Sequence, residues 1–333
     1  MAGYNTIRGL KVKYLSADPA NPENGQVWYN STTGNLRVDG IGQAAAWSSA
    51  ANAITAMHAG QGFGGQSDAV GAGGYGPALS PAYSNKTDEY NGTSWSEGGN
   101  IGSARYTGQG CGSQTAGLIA GGNPVSNSEA FLGAEEYNGS AWTGGGTMGT
   151  GHGYAWMAGI QTAAIVYTGL TDPSPATTSV NAELYNGTSW AEVGNVNTAK
   201  YGILGFGATQ DTAVKVGGTS ANTGVEEYNG TSWTAVNSIP ANRADGMGSG
   251  AQTSGLITAG NPGAYTSTLT YDGTNWTVSA ATLATGRAGT ARGATVSNNA
   301  TAIVHHSGPG APRMLLTEEY NGPTTIVKTV SVS

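Results

Sequence analysis

Glu89-Tyr90-Asn91-Gly92-Thr93-Ser94-Trp95 is the stretch that decides the fold, because close variants of it recur down the chain. The aromatic pair returns as Tyr137 and Trp142, Tyr185 and Trp190, Tyr228 and Trp233, and Tyr271 and Trp276. Trp47 precedes the first pair and Tyr320 follows the last. The Asn-Gly inside the motif tolerates positive φ and is the strongest short-range hairpin signal. Equivalent aromatics lie 43–49 residues apart. That is the length of one four-stranded blade, so the spacing predicts an all-β chain folded as a six-bladed β-propeller of four-stranded antiparallel blades.

Working outward from Trp95, the unit that ends at Tyr137 divides into strand a (about 105–112), strand b (116–121), strand c (133–137) and strand d, which starts at Trp142. Two segments compete to supply strand d of the last blade: the one around Trp47, and residues 324–332. Trp47 is favoured because it keeps the aromatic that Ile326 lacks. Composition agrees with this array. With 56 Gly in 333 residues and only 10% charged residues, short strands joined by tight turns are expected rather than long helices.

The net charge of -7, with Lys and Arg scattered, predicts no nucleic-acid partner. No apolar run approaches ~18 residues, so no membrane span is expected. The start carries neither the basic nor the apolar part of a secretion signal, which predicts synthesis in a cytoplasm. Cys111, the one cysteine, excludes an intramolecular disulfide and reads as a small buried residue of an inner strand.

Residues 1–42 do not match the repeat and form a separate N-terminal segment, leaving 43–333 for the propeller. A strand is expected through Tyr14, then a Pro/Asn/Asp loop, then a hairpin over 26–38 that exposes Trp28 and Tyr29. A lone hairpin is marginal in water, so this segment is expected to pack on something larger. Tyr14, Trp28 and Tyr29 are its candidate attachment residues, and a homo-oligomer is expected.

The basic residue before strand a, the Gly doublets Gly73-Gly74, Gly121-Gly122 and Gly217-Gly218, and the Tyr and Trp about the last turn together resemble the kelch repeat. That resemblance implies the propeller fold and says little of function. The stretch Gln26-Val27-Trp28-Tyr29-Asn30-Ser31-Thr32-Thr33-Gly34-Asn35-Leu36-Arg37-Val38 is similar to one near the N-termini of bacteriophage structural proteins, particularly tail fibres and fibre-like proteins of marine phages. It implies a virion location, with the segment bound to other virion proteins and the propeller displayed.

A basic residue recurs between strands d and a: His58, Arg105, His152, Lys200, Arg243 and Arg287. Strand order puts these on one face with the b–c connections, where they would ring the mouth and attract an anionic ligand such as an acidic glycan. The competing expectation is structural, because an acid stands two residues before the Tyr in five repeats, as Asp88, Glu135, Glu183, Glu226 and Glu318. Arg243 separates the two readings, since Leu269 occupies its acid position. The b–c connections vary most and carry Tyr75, Tyr83, Phe131 and Tyr265, with Pro81, Pro124, Pro173, Pro175, Pro262 and Pro312. Binding residues concentrate on such loops.

No convergent carboxylates and no nucleophile with its base are evident, and His305 and His306, as strand neighbours, point to opposite faces. No catalytic group, metal or cofactor is expected. The expectation is a non-enzymatic virion protein for recognition of a host-surface glycan or outer-membrane protein. The alternatives are capsid decoration or another architectural virion role, a carbohydrate-active enzyme, and an intracellular kelch adaptor.

Overall fold

The computed structural model describes residues 12–19, 26–55, 58–76, 83–124, 130–173, 176–220, 222–288, 301–304 and 315–329. All regular elements among them are strands, and the chain divides into two compact units, Ala46–Asn321 and Met1–Ala45 with Gly322–Ser333. In the larger unit, five antiparallel sheets each take four strands in chain order. The second sheet is built from Gln109–Ser113, Ala116–Ala120, Gly133–Tyr137 and Trp142–Thr147. The first, third, fourth and fifth begin at Gln61–Gly65, Trp156–Ile160, Leu204–Phe206 and Met247–Ala251. A sixth sheet has three described strands in the order Thr301–Val304, Thr317–Asn321, Ala46–Ala50. The a strands of neighbouring sheets pack on one another, as the Gly-rich sequence permits, and the arrangement is propeller-like.

Each recurring residue of the opening motif has a bond to make. Asn91 Oδ1 accepts the N–H groups of Thr93 and Ser94 at 3.0 and 2.9 Å while Gly92 takes φ 84°, and Asn138, Asn186, Asn229 and Asp272 repeat the turn. The Tyr hydroxyl crosses to the preceding sheet: Tyr185 donates to Glu136 at 2.7 Å, Tyr271 to Glu227 at 2.8 Å, Tyr90 to Glu319 at 2.6 Å, and Tyr137 to Glu89. Burial, with the Glu319 carboxylate beside it, pushes the Tyr90 phenol up to about 12. In the third sheet that acid position is Leu184, and the Tyr228 hydroxyl is buried without a partner.

The indoles follow the same logic. Trp142, Trp95 and Trp47 donate to Thr87, Thr317 and Thr268 of the preceding sheet at 2.8–3.1 Å. Ala134 and Ala182 occupy the corresponding positions facing Trp190 and Trp233, whose indole nitrogens are buried without a partner. A Gln in the a–b turn completes the joint, with Gln114, Gln161, Gln252 and Gln66 each donating to the main-chain carbonyl of the neighbouring sheet's Tyr at 2.9–3.0 Å. Apolar layers fill the gaps, for example Phe63, Val70, Ile119 and Tyr137 between the first two sheets. Each such side chain contributes roughly 1.5–3 kcal/mol by leaving water. Cys111 lies fully buried in a separate layer with Leu118, Met157 and Val166, and that burial pushes its thiol up.

The smaller unit departs from expectation. Lys13–Leu15 runs parallel to Val27–Asn30, which pairs antiparallel with Asn35–Gln43, and that strand pairs in turn with the C-terminal strand Thr324–Thr329. The strand Thr324–Thr329 therefore pairs outside the repeat array, whereas the sequence assigned everything from 43 to 333 to it. Trp47 takes the place opposite Tyr320, with rings 5.2 Å apart, which a segment without an aromatic could not match. Trp28 is fully buried rather than exposed, and its indole and the Asn30 amide both donate to Asp18 Oδ1, at 2.9 and 2.8 Å. Those two bonds hold the Asp18 carboxyl below its ordinary value. Tyr14 is 75% exposed and its ring lies tilted against that of the half-buried Tyr29, 4.8 Å away.

Candidate recognition face

The d–a and b–c connections share a face whose backbone is cross-linked from sheet to sheet. The carbonyls of five of the six residues at the basic position accept an N–H from the preceding b–c connection: Gly74 to Arg105, Gly122 to His152, Gly169 to Lys200, Gly218 to Arg243 and Gly260 to Arg287, at 2.7–2.9 Å. These glycines have φ of 93–113°, which L side chains rarely adopt, and this is why a Gly recurs there. The preceding position also has positive φ, and two of its five residues are not Gly: Ala259, and Thr168, whose Oγ1 donates to the Lys200 carbonyl at 2.6 Å.

One or two residues beyond the basic position, a second chain of bonds links neighbouring connections. Thr107 N–H donates to Ala59 O, Tyr154 to Thr107, Gly202 to Tyr154 and Asp245 to Gly202, at 2.6–3.0 Å. Every residue of this series has φ between 53° and 62°. For the four that are not Gly the left-handed conformation costs roughly 1–2 kcal/mol each, so the linked backbone holds them there.

Four of the six basic candidates are buried. Arg105 donates through Nη1 to the carbonyls of Gly121 and Gly133 at 3.3 and 2.9 Å and through Nη2 to Glu135, with Phe131 packed 4.8 Å from the guanidinium carbon. Arg287 reaches Leu316 O and Glu318. His152 Nδ1 lies 2.7 Å from Thr168 O, and its Nε2 3.5 Å from Glu183. Arg243 has no acid and donates instead to the carbonyls of Ala259 and Ser267, at 3.2 and 2.8 Å, and to Ser267 Oγ, under the ring of Tyr265 at 4.5 Å. Burial lowers its pKa to about 10. These groups tie the ends of strands b and c together, and Phe131 and Tyr265 cap two of them.

The fourth sheet solves the same problem with a residue that sequence reasoning missed. Lys215, on strand b, is buried and pairs with Glu226 at 2.8 Å, while Asn222 donates to Gly217 O at 3.1 Å. Lys200 is thereby released from that role and stays half-buried. His58 is half-buried too, bridged through its main chain to Tyr75 with the rings 5.2 Å apart.

Tyr75 and Tyr83 open a larger aromatic cluster. Their rings are 5.2 Å apart, Tyr83 lies 5.3 Å from Tyr106, Tyr106 6.4 Å from Tyr154, and Tyr154 5.9 Å from Tyr201. All five are half-buried. Tyr106, Tyr154 and Tyr201 follow the basic position by one or two residues in three successive repeats, a signal present in the sequence. Pro124 is described at the end of a short two-residue strand. Pro81, Pro175, Pro312, His305 and His306 lie outside the described residues, as does the Pro173 side chain. Among the described residues, no three His, Cys, Asp or Glu side chains are grouped to hold a metal, and no helix is long and apolar enough to cross a membrane.

No protein-family model matches the sequence, and no curated protein sequence matches it. Solved structures do resemble it: one titled "Structure of YjhT" superposes with a TM-score of 0.62 at 12% identity, covering 83% of this chain and 99% of that one. At that identity the likeness is one of fold, and it agrees with the propeller-like order of sheets.

Proposed function

We propose that this chain is a non-enzymatic bacteriophage virion protein whose kelch-like propeller of six blades is displayed for recognition of a host surface. The ring is closed by the Trp47 strand in the sixth blade. Bonds from Tyr90 to Glu319, Gln66 to Tyr320 and Trp95 to Thr317 support this, because they join the first and sixth sheets as the other pairs are joined. The virion assignment rests on the resemblance carried by residues 26–38, and the Tyr14 and Tyr29 pair is the candidate attachment surface.

The observation that carries the recognition reading is the five-tyrosine cluster on a face whose backbone is held by inter-sheet bonds. Aromatic side chains on a rigid scaffold are efficient contact groups. Immunogold labelling of particles with an antibody to the propeller, together with mass spectrometry of the same particles, tests the assignment. Label at tail or fibre tips supports it, label over the capsid favours decoration instead, and absence from particles overturns it. Replacing residues 75–87 by a short turn is expected to abolish adsorption, and unchanged adsorption would remove this face from the proposal.

A further inference from the structure

Three hydrogen bonds recur between the outer parts of neighbouring sheets: Tyr hydroxyl to Glu, Trp indole to Thr, and the Gln of the a–b turn to a Tyr carbonyl. The first and second sheets make all three, through Tyr137, Trp142 and Gln114, and so do the sixth and first, through Tyr90, Trp95 and Gln66. The second and third keep the bonds of Tyr185 and Gln161. The fourth and fifth keep those of Tyr271 and Gln252 and turn Trp276 to Asn237 O at 3.1 Å. The fifth and sixth keep Trp47 to Thr268. Between the third and fourth sheets, whose residues at these positions are all described, none of the three is made.

The groups that would make them are present on the fourth sheet and buried. Tyr228 packs in one layer with Leu184, which stands where other joints have Glu, and Trp233 with Ala182, which stands where they have Thr. The hydroxyl and the indole nitrogen have no partner, and neither has Gln210 Oε1. Gln210 is displaced for a local reason. Its a–b connection runs over 207–213 between strands of three residues, Leu204–Phe206 and Val214–Val216, whereas Gln114 and Gln161 stand in turns over 114–115 and 161–162 between strands of five. Three buried polar groups thus lose their hydrogen bonds to water and gain none in exchange. The joint is filled instead by Trp156, Ile165, Val196 and Ile203.

We infer that the outer part of the joint between the third and fourth sheets opens before any other, with Ala182–Tyr185 parting from Tyr228 and Trp233. The inner part and the opposite face stay linked. Tyr167 donates to Val214 O at 2.9 Å between the two b strands, and Gly169 to Lys200 O and Gly202 to Tyr154 O, both at 2.9 Å, hold the connections. Asn197 donates to Glu226 and to Trp233 O, which ties the d–a connection to the fourth sheet and leaves the strands of the third untied. Such a joint lets the outer rim spread while the face with the tyrosine cluster keeps its backbone bonds. The inference is separate from the recognition reading, which an evenly closed set of joints would leave untouched.

Thiol labelling of the full chain by iodoacetamide, read peptide by peptide in a mass spectrometer, tests this. Ala182→Cys and Ala134→Cys place a thiol at equivalent points of the third and second sheets, where Thr87 and Thr268 show that a side chain of that size fits. Ala182 is 0% exposed and Ala134 4%, and the fully buried Cys111 reports unfolding in the same sample. The thiol at 182 is expected to react about tenfold faster than those at 134 and 111, despite its deeper burial. Adding Leu184→Glu supplies Tyr228 with the acceptor that Tyr185 has in Glu136, at a position half-buried like Glu136 itself, and should slow the reaction at 182 about tenfold. Equal rates at 182 and 134, or a rate at 182 that a folded Leu184→Glu chain does not lower, overturn the inference. Hydroxyl-radical oxidation of the unsubstituted chain decides the matter without any variant. Trp233 is 5% exposed and Trp95 8%, so faster oxidation of Trp233 supports opening at this joint, and equal or slower oxidation overturns it.

Discussion

The second and fifth sheets hold a guanidinium in the same place with different company. In both, Nη1 donates to the carbonyl at the end of strand b and to the one at the start of strand c, and an aromatic ring covers the group. Only the second sheet offers a carboxylate, Glu135. The fifth offers Ser267 Oγ at 2.7 Å and leaves Arg243 Nε buried without a partner. The position of the cation is therefore set by the carbonyls, and the acid is an addition that neutralises it. His152, reaching Thr168 O as a ring nitrogen, fits the same rule.

The sharpest way to break that comparison is Arg105→Leu against Arg243→Leu. Removing Arg105 strands a buried Glu135 and is expected to lower unfolding free energy by ~3–5 kcal/mol. Removing Arg243 strands only carbonyls and is expected to cost about 1–3 kcal/mol in the same denaturant titration. Equal losses would mean that the acid contributes nothing. High pH gives a further test at Arg243. A base whose folded pKa is lowered opposes folding while charged, and that opposition fades as pH rises through the folded value. With Arg243 near 10, wild type should lose less stability above pH 10 than Arg243→Leu loses.

A smaller effect is expected at the outer joints. Tyr185→Phe removes a bond to a carboxylate and should cost roughly 1.5–3 kcal/mol, whereas Tyr228→Phe, whose hydroxyl is buried and unpartnered, should be neutral or stabilising by thermal melting.

The acid limb is expected to show the smallest effect. Burial would raise the Glu183 pKa, but hydrogen bonds from His152, Gly149 and Thr150 hold it below the ordinary value. A depressed carboxyl stabilises the fold above its unfolded pKa, about 4.3 for Glu, and that contribution is lost as pH falls through the folded one. Glu183→Gln should therefore flatten stability against pH below about 4, relative to wild type.

The aromatic turn, the acids and the Gly doublets were legible because each repeats at one register and each bond is local to a sheet or its neighbour. Lys215 was not, since it supplies from strand b what other sheets supply from the d–a connection, and only folding brings the two routes to one carboxylate. Phe131 and Tyr265 read as loop contacts because nothing in their sequence neighbourhood shows the guanidinium beneath. The tyrosine arc was hidden by its offset, since Tyr154 stands one residue later than Tyr106 and Tyr201 and three of six repeats carry it. The pairing of 324–329 with the N-terminal sheet joins opposite ends of the chain, which no periodicity records.

The joints between sheets also have a mechanical meaning. Between the first two, Thr107 to Ala59 and Gly74 to Arg105 lie in the connections that precede and follow the a and b strands, while Gln114 to Tyr90, Trp142 to Thr87 and Tyr137 to Glu89 lie at the turns and outer strands. A force prising the sheets apart loads all five at once, so the seam yields as a unit rather than unzipping bond by bond. A protein under tension between two bodies would keep the geometry of its outward face until the whole joint failed.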